Sequence, residues 1–261
     1  MKVSSIAAIN RLSDEEKRSI YKQLVPRDVI EQFDLGDDLR GPKGESLYMV
    51  KGETDSSHVE LALYHRLDFP DPIIYGHLTD TLNGQIHVLL YIMNDPDSER
   101  FNVDILPDGR PTKFGTEQRN LEAEEAALQA GLSPGQVRRG LRKLGAARQA
   151  FENFVNSLGH DRYFIEPLYY HNAIIFERHG FTYQSGRQLM ERTHKGFARD
   201  GEFRAKLDGS TPFRSPEAAE SLRLRSWAIH DGVMGAPFSG VTMYRVIGKP
   251  ANENSAPGVP W

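Results

Sequence analysis

Nine histidines and no cysteine set the terms for any metal chemistry: a site would have to be built from imidazole and carboxylate, because thiolate ligands, thiolate nucleophiles and disulfides are all absent. Glu191 and His194, three residues apart, project from one face of a helix, and His58 and Glu60 share one face of a strand. Glu-x-x-His is the spacing that di-iron bundles use, but they need it twice with two further helical glutamates, and this sequence has no second copy. What remains is a mononuclear site gathered from distant segments, such as His58, Glu60, His171 and Glu191. Five basic residues, Arg138, Arg139, Arg142, Lys143 and Arg148, could hold phosphates on one helix face, or could form a solvated face paired with Glu122, Glu124 and Glu125. Serine catalysis finds no Gly-x-Ser-x-Gly, and Ser239-Gly240 precedes a strand, not a strand-turn-helix elbow. Neither a dinucleotide fingerprint nor a Walker sequence is present.

Arg142-Lys143-Leu144-Gly145-Ala146-Ala147 resembles the Arg/Gln-x-x-Gly-x-Gly/Ala pattern of the acyl-CoA N-acetyltransferase (GNAT) superfamily. A helix, a strand and then Phe176-Glu177-Arg178-His179-Gly180-Phe181 follow it, and this hexapeptide is similar to the family's Tyr-Glu-Lys-x-Gly-Phe ending, with Asn172 and Ala173 just upstream. The likeness spans residues 142–183. It implies that Arg142, Gly145, Ala146, Ala147 and Asn172 contact coenzyme A, whose pyrophosphate would sit on a helix N-terminus, where unpaired N–H groups and the positive end of a dipole are presented. An acyl-CoA would then be the co-substrate. Where the family often has a tyrosine as general acid this chain has Phe176, which carries no proton to give, so an active version would recruit Tyr169, Tyr170 or Tyr183, with Glu166 or a water chain as base.

The elements that must position these residues follow from pattern. Ser13 and Glu16 form a capping box ahead of a helix that Pro26 stops, a second helix spans 27–33, and residues 34–44 form a loop with three glycines. From Leu47 to Leu106 the alternation predicts strands at 47–51, 58–63, 73–78, 86–93 and 101–106, an antiparallel meander with a type I′ turn at Asn83-Gly84 and no parallel βαβ unit. A helix over 116–130 ends at Gly131. Ser133, Pro134 and Gln136 then read as the start of a helix with the stripe Val137, Leu141, Leu144, Phe151, Val155 and Leu158, ended by Gly159. Two arrangements stay open there: one long helix in which Gly145 is a close-packing residue, or a short turn from Pro134 with a new helix starting near Gly145. A strand at 163–166, helices at 169–180, 186–197 and 216–230, and a last strand at 241–247 complete the chain.

The expected fold is therefore α+β, with an antiparallel central sheet flanked by helices and an N-acetyltransferase-like carboxyl half. Its divisions are a helical entry and loop (1–45), one domain (46–248, meander to 112 and helical part from 113), and a tail (249–261) ordered only if Trp261 docks. Apolar residues at 39% supply a core, and a net charge of -4 gives no basic face for nucleic acid. No apolar run reaches the roughly 20 residues that span a bilayer, and Met1 to Asn10 reads as neither signal peptide nor anchor, so a cytoplasmic location is expected. Three functions follow in order: a divergent acyl-CoA-dependent N-acyltransferase acting on an unidentified amine; a non-catalytic protein using the same cleft for a small ligand or partner; and a His/carboxylate metal-dependent enzyme, with no metal predicted. Exposed strands of the meander could pair into a homodimer.

Overall fold

The computed structural model describes residues 3–112 and 118–261. Three helices open the chain: α1 (Ile6–Asn10), α2 (Asp14–Tyr21) and α3 (Arg27–Gln32). Four strands follow, β1 (Tyr48–Lys51), β2 (His58–Leu63), β3 (Ile74–Asp80) and β4 (Ile86–Met93), and then α4 (Leu121–Gln129), α5 (Leu144–Ser157), β5 (Arg162–Ile165), α6 (Tyr170–Arg178), β6 (Thr182–Ser185), α7 (Arg187–Gly196), α8 (Leu222–His230) and β7 (Thr242–Val246). The strands hydrogen-bond in the order β1-β2-β3-β4-β5-β7-β6, antiparallel from β1 through β4 and parallel between β4 and β5. This is the α+β fold with a mostly antiparallel sheet flanked by helices. The chain divides into two compact units, one made of Met1–Asp97, Gly140–Glu166 and Tyr244–Pro250, the other of Ser98–Arg139, Pro167–Met243 and Ala251–Trp261.

In the first unit the period-2 pattern does what it must: Val59, Leu61 and Leu63 of β2 are buried while His58 and Glu60 are not, and Ile74, Gly76 and Leu78 of β3 alternate the same way. α5 covers this face with Phe151, whose ring lies 4.9 Å from Tyr91 and 6.0 Å from Tyr163, and with Phe154, 6.1 Å from Tyr21. The capping box of α2 forms as the sequence predicts, with Ser13 and Glu16 satisfying each other's backbone N–H groups. α1 is too short to show in periodicity. It is held by Asp80, whose carboxylate accepts from the N–H groups of Ile6 (2.8 Å) and Ala7 (2.9 Å), and by Asn10, which donates to the carbonyls of Ser56 and His58.

The second unit packs Phe101, Val103, Ala127, Leu132 and Phe213 around Trp227. Residues 101–106 are not the expected strand: the N–H of Phe101 donates to Val137 (2.8 Å) and that of Val103 to Phe101 (2.8 Å), with only a single bridge from Ile105 to Pro111. The β3–β4 turn also differs from expectation. The N–H of Gly84 donates to Thr81 and that of Thr81 to Gln85, and only Gly84 has positive φ (72°), which is a type I turn followed by a bulge. The expected helix over 116–130 begins at Leu121, and residues 116 and 117 lie outside the described residues. The expected helix over 216–230 is split into a 3-10 segment, Pro216–Glu220, and α8. The tail is tied to its own unit: Leu222 donates to the carbonyl of Pro260 (2.9 Å) and the Trp261 ring lies 6.2 Å from His171.

The Phe176–Phe181 hexapeptide has a complete structural role. Phe181 N–H donates to Phe176 (3.1 Å), Gly180 N–H to Glu177 (2.8 Å), and the two phenylalanine rings meet at 5.4 Å, the paired bonds and apolar contact of a Schellman cap. Gly180 sits at φ 79°, so Gly180→Ala should lower the stability of this unit by about 1 kcal/mol, read as a lower urea midpoint at unchanged slope.

Candidate functional site

The candidate coenzyme turn lies in the first unit. β4 is followed by Asn94, whose N–H donates to Ile73 (3.0 Å) and whose side chain donates to Pro72 (3.0 Å). Residues 98–139 then leave this unit, and the chain returns at Gly140, which bridges back to Asn94; a Cβ at Gly140 would stand 3.4 Å from the Met93 carbonyl. The strand that a phosphate turn needs before it is therefore β4, separated in sequence but adjacent in space. Of the two arrangements left open, the long helix does not form. Ser133 N–H does donate to the Gln136 side chain (2.7 Å), half of a capping box, but Gly135 at φ 80° and Arg142 at φ 58° are left-handed and break any helix through them.

α5 begins at Leu144. Its N-cap, Lys143, makes no side-chain cap, its first turn has no acidic residue, and the first backbone bond runs from Ala147 N–H to Lys143 C=O (2.9 Å). The N–H groups of Leu144, Gly145 and Ala146 therefore point out of the helix end without a capping side chain. Gly145 is exposed and a Cβ there would meet nothing within 4 Å; Ala146 is half-buried and Ala147 buried against the core. Arg142 is exposed and forms no ion pair among the described residues, whereas Lys143 is held by Asp28 (2.9 Å). The five basic residues do not share one face: Arg138 is buried with a donor on the Ser98 carbonyl, Arg139 reaches Ala130, and Arg148 pairs with Glu152 (2.8 Å). Glu124 is committed to Arg119 and His230 and pairs with none of them.

Beside this helix end the sheet opens. β4, α5 and β5 form a parallel crossover. β4 and β5 are in register only at His87 with Phe164 and Val88 with Ile165, plus Glu166 N–H to Val88 (3.2 Å). At the next residue β4 bulges: Val88 opposes Leu78 and Leu90 opposes His77, leaving Leu89 as the extra residue. Glu166 is exposed at this divergence. Sequence reasoning missed His87, which stands on β4 opposite Phe164, with ring centroids 6.4 Å apart. Its Nε2 is buried without a hydrogen-bond partner among the described residues, and burial holds its pKa below the usual imidazole value, opposed by the charge of Glu166. The ring is therefore neutral and able to accept a proton. Only the alternation of β4 could have pointed to it, because the divergence that exposes its neighbourhood is a property of two distant segments.

The remaining candidates belong to the second unit. Tyr169 is packed against Gly135, where a Cβ would stand 2.4 Å from its ring, and burial pushes its pKa up to about 12. Tyr170 is fully buried, and burial raises its pKa against the opposing charge and hydrogen bond of Arg225. Asn172 lies 3.3 Å from Nε2 of His171, whose Nδ1 meets Ser226 Oγ at 2.8 Å. Burial and the neighbouring His230 hold His171 down at about 3, so it is neutral. Tyr183 donates its proton to the buried carboxylate of Glu177; burial and then that bond raise its pKa, so this proton is not free to give. Tyr183, Glu191 and His194 come together around one cavity. Among the described residues no three His, Asp or Glu side chains are grouped to hold a metal ion; His58 and Glu60 lie in the first unit, and Glu191 is bound to Arg187 (3.1 Å). No family model matches this chain, and neither does any curated protein or solved structure.

Proposed function

We propose that the first unit binds an acyl-CoA, with the coenzyme's diphosphate on the first turn of α5, and that the chain transfers the acyl group to an amine. The observation that carries this reading is the uncapped start of α5, with Gly145 open to close approach and Arg142 without an ion pair among the described residues, set at the end of β4 beside the place where β4 and β5 part. The resemblance of Arg142–Ala147 to the acetyltransferase turn supports it from sequence. In the transfer, the amine nitrogen attacks the thioester carbonyl, the C–N bond forms, the C–S bond breaks and the thiolate leaves to be protonated. The amine must also lose a proton. Neutral His87 or the Glu166 carboxylate accepts it, and the backbone N–H of Leu89, the extra residue of the bulge, polarises the carbonyl.

Thermal unfolding with acetyl-CoA tests the binding step, since a ligand at 100 times its Kd adds about 2.7 kcal/mol to stability. A Cβ at exposed Gly145 meets no protein atom within 4 Å, so Gly145→Leu should fold normally while blocking the phosphates, and its shift with acetyl-CoA should vanish. Arg142→Gly removes the guanidinium and relieves a left-handed residue, so it should melt no lower than the parent without ligand and lose most of the ligand shift. No shift for the parent with acetyl-CoA, longer acyl-CoAs or free coenzyme A would end this reading. The second reading, binding without transfer, is favoured by Phe176, whose ring serves the α6 cap and not a proton. A coenzyme shift without release of free thiol across an amine panel would select it.

A further inference from the structure

The second unit contains a cavity of about 180 Å³ that the proposed transfer does not use, walled by β6, α7 and the tail. Its acids are already engaged: Glu191 and Glu253 both receive Arg187, at 3.1 and 3.5 Å, and Glu253 also accepts from Thr182 Oγ1 (2.6 Å). Its donors are not. Lys195 makes no ion pair among the described residues. His194 lies with Nδ1 3.4 Å from Nη1 of Arg225; a guanidinium can only donate, so Nδ1 is the acceptor and the imidazole proton sits on Nε2. Burial and then the Arg225 charge lower the pKa of His194, so the ring stays neutral and carries a single proton.

Arg225 supplies an independent observation. It is 5% exposed, gives Nε and Nη2 to the carbonyl of Ala219 (2.8 and 2.6 Å), lies 5.1 Å from the centroid of Phe197, and forms no ion pair with a carboxylate among the described residues. A buried cation without a counter-ion is costly, and an anion nearby relieves it. The neutral imidazole of His194 stands against it, and His194 and Lys195 both line the cavity. We propose that this cavity binds a compact oxyanion, a carboxylate or phosphate group, held by Lys195 and by His194 Nε2–H with the charge of Arg225 behind them.

The test is a titration of the ¹⁵N-labelled full chain, in the Gly145→Leu background so that the α5 turn is silent, with inorganic phosphate and separately with acetate at constant ionic strength. Saturable shifts at the amides of α7 and of residues 253–257 are expected, and Lys195→Gln, an exposed change that leaves the fold intact, should weaken binding about tenfold, the usual worth of one charge-assisted hydrogen bond. Tighter phosphate than acetate identifies a phosphate-bearing ligand, and the reverse a carboxylate. Linear, non-saturating shifts with both ions, or equal affinity in Lys195→Gln, would overturn the proposal. Because Gly145→Leu removes the coenzyme turn, these outcomes are independent of whether the first unit binds acyl-CoA.

Discussion

Trp227→Ala should cost the second unit about 3–5 kcal/mol, among the largest losses any single truncation in this chain can produce. The indole is fully buried, stacks on Phe213 at 5.1 Å and 24°, meets the His230 ring at 5.8 Å, and donates Nε1–H to the carbonyl of Leu132 at 2.8 Å. Truncation opens a ring-sized cavity in the cluster that also buries Phe101, Val103 and Ala127. Trp227→Phe separates packing from hydrogen bonding. It removes the indole donor, but the Leu132 carbonyl keeps Arg223 Nη1 at 3.2 Å, so no acceptor is orphaned and the loss should fall to about 1–2 kcal/mol. Urea unfolding followed by circular dichroism reads both, and Trp261, half-exposed in the same unit, remains as a fluorescence reporter in each variant. Equal losses for the two variants would mean that the hydrogen bond and not ring volume dominates.

The same cluster explains where the sequence misleads. Phe101 and Val103 alternate with polar neighbours as strand residues do, and both are buried, but against Trp227 and Leu132 and not in a ladder. Alternation reports which side chains are covered; it carries no information on what covers them. Ser133-Pro134-x-Gln136 is a sound local start signal, and half of its capping box forms, yet left-handed Gly135 and Arg142 redirect the chain. Where local chemistry is decisive the reading holds, as in the Ser13 capping box, the β2 and β3 alternation, and the glycine stops of α5 and α6. For the candidate site, residue types and the Arg142–Ala147 turn were legible because a helix start is local. The divergence of β4 from β5 and the contact of His87 with Phe164 were not, because they depend on pairing across residues 98–139, and the bulge at Leu89 was not, because the alternation of β4 does not fix its register against β3. Tyr183 was a plausible acid by type, and only its bond to Glu177 from the adjacent helix reveals that its proton is committed.

Asp231→Ala should be comparably severe, for electrostatic reasons. Asp231 is half-buried, with its side chain 8% exposed, and binds Arg119 through Oδ1 (2.8 Å) and both Arg214 and Thr211 through Oδ2 (2.8 and 2.9 Å), while Glu124 takes Arg119 on one oxygen and His230 on the other (3.0 Å). Removing one carboxylate leaves two guanidiniums sharing what remains, and breaking a buried pair in this way costs about 3–5 kcal/mol. The pH dependence follows from the same contacts. Burial, the largest single influence, pushes both carboxyls up, but hydrogen bonds from Arg119 and Thr211 to Asp231, and from His230 and Arg119 to Glu124, together with the arginine charges, more than reverse it, so both lie below the ordinary carboxylate range. A depressed folded-state pKa means that the unfolded chain binds protons first as pH falls. The stabilisation is thus full above about 4, the unfolded carboxylate range, and is lost as pH drops through the folded values. Asp231→Asn keeps the shape and the acceptor while removing the charge, so its urea midpoint should already be low at neutral pH, and its deficit relative to the parent should shrink below pH 4, where the parent loses the same interaction. A deficit that stays constant down to pH 2 would mean that packing around residue 231, and not its ionisation, holds Arg119 and Arg214 in place.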